Sequence, residues 1–104
     1  MKKTSATEIH RFDVLKYVAK VPPGKVTTYG LIAKDLFLPT PRLVGKILHT
    51  NPDSAKYPCH RVVFSDGKLA PSYAFGGAEV QRKKLLKEGV LFKKEKVDLK
   101  KCLF

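Results

Sequence analysis

Apolar residues recur at helical spacing near the start of the chain, where Ile9, Phe12, Leu15, Val18 and Ala19 fall mostly three or four apart and stop at Pro22-Pro23-Gly24. Ser5 and Glu8 precede this run in the pattern of a capping box, so a first helix is predicted to begin there. A second helix is predicted from about Tyr29 to Phe37, capped by Thr28, with Ile32, Ala33 and Leu36 turned inward and Pro39 close behind. Thr40 followed by Pro41 supplies a new N-cap and first-turn proline for a short helix through about Leu48. Its inner face is Val44, Ile47 and Leu48 and its outer face Arg42, Lys46 and His49, while Gly45 lets another group approach closely. Two short helices joined by a tight connection make a helix-turn-helix, the second being a candidate recognition helix.

Past residue 60 the pattern changes. Arg61 to Phe64 is β-like, Asp66-Gly67 is a strong hairpin-turn signal, and Lys68-Leu69-Ala70 is the predicted return strand of a small wing. Pro71 to Gly77 reads as a loop carrying Tyr73 and Phe75, followed by a helix from about Ala78 to Glu88 closed by Gly89. From Val90 to Phe104, lysine clusters alternate with Leu91, Phe92, Val97 and Leu99, giving a short strand or ordered tail. The expected fold class is α+β: a small, mostly helical, winged helix-turn-helix-like domain with a short β-hairpin.

The 104 residues suit one domain over 1–104, with a core of about residues 8–92. Charge narrows the partner. An excess of 21 Lys+Arg over 9 Asp+Glu, formally +12, fits a polyanion, because each neutralised phosphate releases counterions; a solvated basic face or tail is the alternative. The two cysteines are too few for a zinc site or disulfide framework, which points to a reducing compartment. Neither a signal peptide nor a membrane span is expected, and no glycine-rich phosphate loop or metal-ligand spacing implies a cofactor or metal.

The chemistry concentrates in Pro58-Cys59-His60-Arg61-Val62-Val63. A thiol attacks carbon as thiolate and free cysteine titrates at about 8.5, so a nucleophilic cysteine needs nearby positive charge or an imidazole. His60 and Arg61 provide both types in sequence. Neighbours on a strand point to opposite faces, so His60 has to act through a turn or a bridging water. Taken alone, a free cysteine packs as a small apolar side chain; the intact six-residue run favours the nucleophile.

Together, Thr28-Tyr29-Gly30, Pro41-Arg42-x-Val44-Gly45, Asn51-Pro52, the Cys59 run, Gly76-Gly77 and Leu85-Leu86-x-Glu88-Gly89 resemble, in order and spacing, the O6-alkylguanine-DNA alkyltransferases. The resemblance covers about Phe12 to Gly89 and corresponds to that family's C-terminal DNA-binding and catalytic domain; the N-terminal domain of full-length members has no counterpart. It implies one-step transfer of an alkyl group, without metal or cofactor, from guanine O6 in duplex DNA to Cys59. By that resemblance His60 takes the thiol proton through a water, Glu88 orients and charges the imidazole, Tyr29 gives a phenol donor to the leaving guanine, and Asn51 braces the hinge before the active-site segment.

The resemblance further implies that Arg42 replaces the extruded nucleotide and that Gly45 lets the recognition helix enter the minor groove, with Thr28, Tyr29 and Lys46 also on the DNA side. Without the motif, Arg42 reads as a phosphate contact and Glu88 as a solvated helix-end carboxylate. Val62, Tyr73 and Phe75 are the expected pocket residues. The family commonly has a tyrosine close before its Gly-Gly pair, whereas this chain reads Ser72-Tyr73-Ala74-Phe75, so either a displaced Tyr73 or Phe75 lines the pocket. A monomer acting in the cytoplasm on the nucleoid, or in a eukaryotic nucleus, is expected. The rival reading is an alkyltransferase-like protein, a single-domain relative that binds alkylated DNA without repairing it and passes it to other repair proteins. Those relatives usually carry tryptophan at the cysteine position; this chain has no Trp. An ordinary winged-helix regulator would not need the six-residue run.

Overall fold

The computed structural model describes residues 6–71 and 73–104. Ser5 of the expected capping box lies outside the described residues. Helix α1 (Ala6–Ala19) leads to strand β1 (Thr27–Thr28), helices α2 (Tyr29–Asp35) and α3 (Pro41–His49), and a 3-10 turn at Cys59–Arg61 that runs directly into β2 (Val62–Val63). Helix α4 (Gly77–Lys87), a hairpin of β3 (Phe92–Lys93) and β4 (Lys96–Val97), and the short α5 (Leu99–Cys102) complete the chain. The α+β class is the observed one.

Local signals set the two central helices. The Thr28 side chain accepts from the Leu31 amide at 3.0 Å and Thr40 from the Leu43 amide at 3.3 Å, so both caps form as read. Helix α2 stops short of the expected Phe37, which takes a left-handed backbone (φ 55). The Leu38 amide then reaches back to the Ala33 carbonyl at 2.8 Å and buries its own side chain.

The inward face of α1 differs from the expected one. Val14, Leu15 and Val18 are buried against the α2–α3 pair, while Ile9 is 59% and Phe12 64% exposed and Ala19 also faces solvent. The first turns of α1 thus run past the edge of the core, where spacing alone cannot tell a buried stripe from an exposed one.

The wing is also relocated. No strand forms at Lys68–Ala70; the Asp66-Gly67 turn closes through the Phe64 and Lys68 backbones, and β2 instead pairs in parallel with β1, Thr27 opposite Val62 and Thr28 opposite Val63. The antiparallel hairpin is β3–β4, in the segment read as a short strand or tail. It docks on the Asp66-Gly67 turn through the Val97 amide, which donates to the Gly67 carbonyl at 2.9 Å. At Gly67 (φ +91) a Cβ would lie 2.6 Å from the Val97 carbonyl oxygen, so the glycine serves this docking as much as the turn. On the other side of β1 the chain end closes in, with Val26 bonded to the backbones of Cys102 and Phe104.

Strand alternation divides the core around this small sheet. Val62 joins the cluster beneath α1, α2 and α3, whereas Val26 and Val63 join Leu85, Val90, Val97 and Cys102. Cys59 leaves the first cluster at the point where it opens to solvent.

Candidate active site

Pro58 ends the preceding loop, and the Arg61 amide donates back to its carbonyl at 2.9 Å, which closes the 3-10 turn over Cys59, His60 and Arg61. The turn answers the geometric problem posed by adjacent residues: Cys59 and His60 are both buried, one toward the helix cluster and one toward α4. Asn51, at the end of the α3 exit, donates to the Tyr57 carbonyl at 2.7 Å and accepts from the Asp53 amide at 3.0 Å. These two bonds tie Asn51 to both ends of the segment before the turn.

A cleft of about 710 Å³ opens between the N-terminal end of α2, the length of α3, the 3-10 turn and Ala70, Tyr73 and Ala74, with Cys59 in its wall. Tyr29, Arg42, Gly45, Lys46 and Tyr73 line it too, so half of the expected site residues meet there. The Tyr29 ring stacks at a tilt on Phe64, with centroids 5.4 Å apart, and a Cβ on Gly45 would reach within 4.0 Å of it. Asn51, His60 and Glu88 do not line the cleft, and neither do Thr28, Val62 and Phe75. Thr28 is buried and its hydroxyl caps α2. Val62 is fully buried in the core, in strand register with Thr27. Phe75 stands outside the lining, 5.9 Å from the Tyr73 ring. Tyr73 and its neighbour Ala74 line the cleft on that side.

Behind Cys59 lies a polar network. Glu88, the C-cap of α4, takes a two-pronged pair from Arg61 (Nε to Oε1 3.0 Å, second guanidinium nitrogen to Oε2 2.6 Å) and a 3.0 Å contact from His60 Nε2. Arg61 donates again to the Val21 carbonyl at 2.8 Å. Burial works to raise the Glu88 carboxyl, but the bonds from Arg61 and His60 outweigh it and hold Glu88 below the usual carboxylate range. An ionised carboxylate only accepts, so Nε2 carries the imidazole proton and the buried Nδ1, which has no hydrogen-bond partner among the described residues, keeps its lone pair. Burial pushes His60 below its ordinary value, partly offset by Glu88. Burial likewise raises the Cys59 thiol, against a hydrogen bond from Asn51 and the charge of Lys84. Tyr29 is pushed up to about 12, by burial first and then by Cys59, so it stays a donor at neutral pH.

These directions give a pH expectation. His60 and Glu88 each bind protons less readily when folded, so stability is fully present above their unfolded values, about 6.5 and 4.3, and is lost as pH falls through their lowered folded values. The midpoint of thermal unfolding is expected to fall between pH 7 and pH 4, and His60→Gln to flatten the upper part of that decline; parallel curves for the two proteins would contradict it.

Two residues of this network were not singled out from sequence. Gln81 is fully buried on α4; its side chain donates to the His60 and Val62 carbonyls at 3.0 and 2.9 Å and accepts from the Ala70 amide at 3.0 Å. Lys84 donates to the Tyr73 hydroxyl at 2.7 Å. With Leu85 and Glu88 they share a helix face at spacings of three and four, the one available signal.

The family profile described as the DNA-binding domain of 6-O-methylguanine DNA methyltransferase matches residues 10–90. The methylated-DNA–protein-cysteine methyltransferase of Pyrobaculum aerophilum is 47% identical over 77 residues, 74% of this chain and 50% of its own length. The chain spans about half the length of that relative and of other curated relatives it matches. S. pombe Atl1, solved with damaged DNA containing O6-carboxymethylguanine, has the same fold at a TM-score of 0.78 and 26% identity, covering 100% of this chain and 98% of that one. The Mycobacterium tuberculosis OGT complex with DNA aligns at a TM-score of 0.69 and 30% identity, over 83% of this chain and 51% of that one. With the cysteine turn, its carboxylate-backed histidine and the α2–α3 pair folded around one cleft, this chain belongs to the 6-O-methylguanine DNA methyltransferase DNA-binding domain family.

Proposed function

We propose that the protein repairs O6-alkylguanine in duplex DNA by moving the alkyl group irreversibly onto Cys59. The observation that carries this is a buried cysteine in the wall of the cleft, backed by a histidine whose free Nδ1 can accept a proton and whose Nε2 is fixed by Glu88. His60 Nδ1 takes the thiol proton through a water; the Cys59 sulfur forms a bond to the alkyl carbon as the carbon–O6 bond breaks. The electron pair leaves with guanine, and the Tyr29 hydroxyl stabilises the developing anion by hydrogen bonding. No further reactant is needed, and the thioether cannot turn over. Asn51 holds the hinge that sets the turn.

Duplex DNA as the partner is supported by the DNA complexes of the Atl1 and OGT structural neighbours and by the basic charge of the chain. Arg42 and Lys46 are exposed on α3 and line the cleft; in this reading Arg42 fills the stack when the base is extruded and Lys46 meets phosphate.

One observation favours the sensor reading: the match to Atl1 extends over nearly the full length of both chains. The two readings differ in the fate of the lesion. Excess duplex carrying O6-methylguanine, digested to nucleosides after incubation, is expected to lose one methylated base per protein molecule and then stop. Bound duplex that keeps every methyl group would overturn repair in favour of the sensor.

A further inference from the structure

The sequence neighbours of Cys59 are cationic residue types, yet neither has charge to spare. Arg61 is matched by Glu88 in a two-pronged pair, and His60 is bonded to the same carboxylate and held toward its neutral form by burial. The uncompensated cation on this side of the cleft is Lys84, which lies one helical turn before Glu88 on α4. Its ammonium is half-buried, donates to the Tyr73 hydroxyl at 2.7 Å, and sits 5.3 Å from the Tyr73 ring centroid and 5.7 Å from that of Phe75. Among the described residues no carboxylate forms an ion pair with it.

Tyr73 lines the same cleft as Cys59, so its hydroxyl ties Lys84 to a residue of the wall that holds the thiol. The other titratable or charged groups are Tyr29 from α2 and Arg42, Lys46 and His49 from α3, which line the cleft, and His60 and Arg61 from the turn with Glu88 from α4, which form the network behind Cys59. We infer that Lys84, held by Tyr73, is a positioning residue that supplies the positive charge under which Cys59 becomes a thiolate. This rests on Cys59 being the nucleophile. Burial raises the Cys59 thiol; the Asn51 hydrogen bond and then the charge of Lys84 oppose it, whereas neither His60 nor Arg61 is among the groups that lower it. The division of labour is then physical: His60 accepts the proton, and Lys84 stabilises the charge left behind.

The test uses the intact protein without DNA. Iodoacetamide modification of Cys59, followed on its own peptide so that Cys102 does not contribute, is measured from pH 6 to pH 10 in wild type, Lys84→Met and Lys84→Arg. Lys84→Met is expected to move the midpoint upward and slow the reaction near neutral pH by about three- to tenfold. Well above the midpoint it should react as fast or faster, since a less acidic thiol gives a more nucleophilic thiolate. Lys84→Arg should keep the wild-type midpoint. Coincident profiles for wild type and Lys84→Met would overturn the inference. So would slowing by one factor at every pH, or an arginine variant that behaves like the methionine one. Because no lesion is involved, these outcomes stand apart from methyl removal from duplex, on which the repair reading succeeds or fails.

Discussion

Glu88→Ala is expected to destabilise the protein by about 2–4 kcal/mol, more than removal of an ordinary surface carboxylate, because it leaves the Arg61 guanidinium largely buried without its ion partner. The Arg61 side chain is only 14% exposed, and after the change its one remaining hydrogen bond is to the Val21 carbonyl. The same substitution removes the acceptor that fixes His60 Nε2, so alkyl transfer at neutral pH should slow by about a hundredfold. Urea unfolding and single-turnover transfer read the two effects separately. If the pair accounts for the instability, Arg61→Met combined with Glu88→Ala should cost less than the sum of the single changes. Additive losses would mean that the two side chains act independently.

Gly45 carries the second large effect, with opposite signs for stability and binding. It lies inside α3, where glycine costs about 0.5–1 kcal/mol relative to alanine, and its backbone angles need no glycine. A Cβ there meets Tyr29 at an ordinary 4.0 Å, so Gly45→Ala should raise the unfolding midpoint. Gly45→Leu puts a bulky side chain into the cleft beside Tyr29. Its affinity for an O6-methylguanine duplex is expected to fall more than tenfold while the fold is kept, as read by equilibrium binding beside thermal unfolding. Undiminished binding by the leucine variant would move the lesion out of this cleft.

What was legible in the sequence was local. Thr28, Thr40 and Pro41 announce their helices because a cap is decided within three residues, and Gly89 ends α4 for the same reason, with a φ of +87. The Cys59-His60 run was legible because its neighbours in sequence are its neighbours in the turn. Partnerships across the chain were not. Arg61 and Glu88 are 27 positions apart, and only tertiary packing reveals that they neutralise each other, leaving the charge at the site to Lys84. Gln81 reads as one more polar residue on a charged helix, although it is fully buried and ties three backbone groups. The misplaced wing has the same origin. Asp66-Gly67 does turn the chain, but Val62 and Val63 find their strand partner at Thr27–Thr28, far back in sequence, and the hairpin forms at Phe92–Lys93 and Lys96–Val97, in the segment read as a short strand or tail. Thr28, Val62 and Phe75 do not line the cleft, the first capping α2, the second buried in the core and the third packed near the Tyr73 ring.

The most direct measurement of the central claim is peptide mapping by mass spectrometry after the protein has reacted with a duplex containing O6-methylguanine. Both cysteines are buried, but only Cys59 lines the cleft; the Cys102 sulfur accepts from the Leu91 amide at 3.3 Å within the second core cluster. The account predicts one added methyl on the peptide carrying Cys59 and none on that carrying Cys102. Bound lesion with an unmodified Cys59, or a methyl found on Cys102, would contradict it.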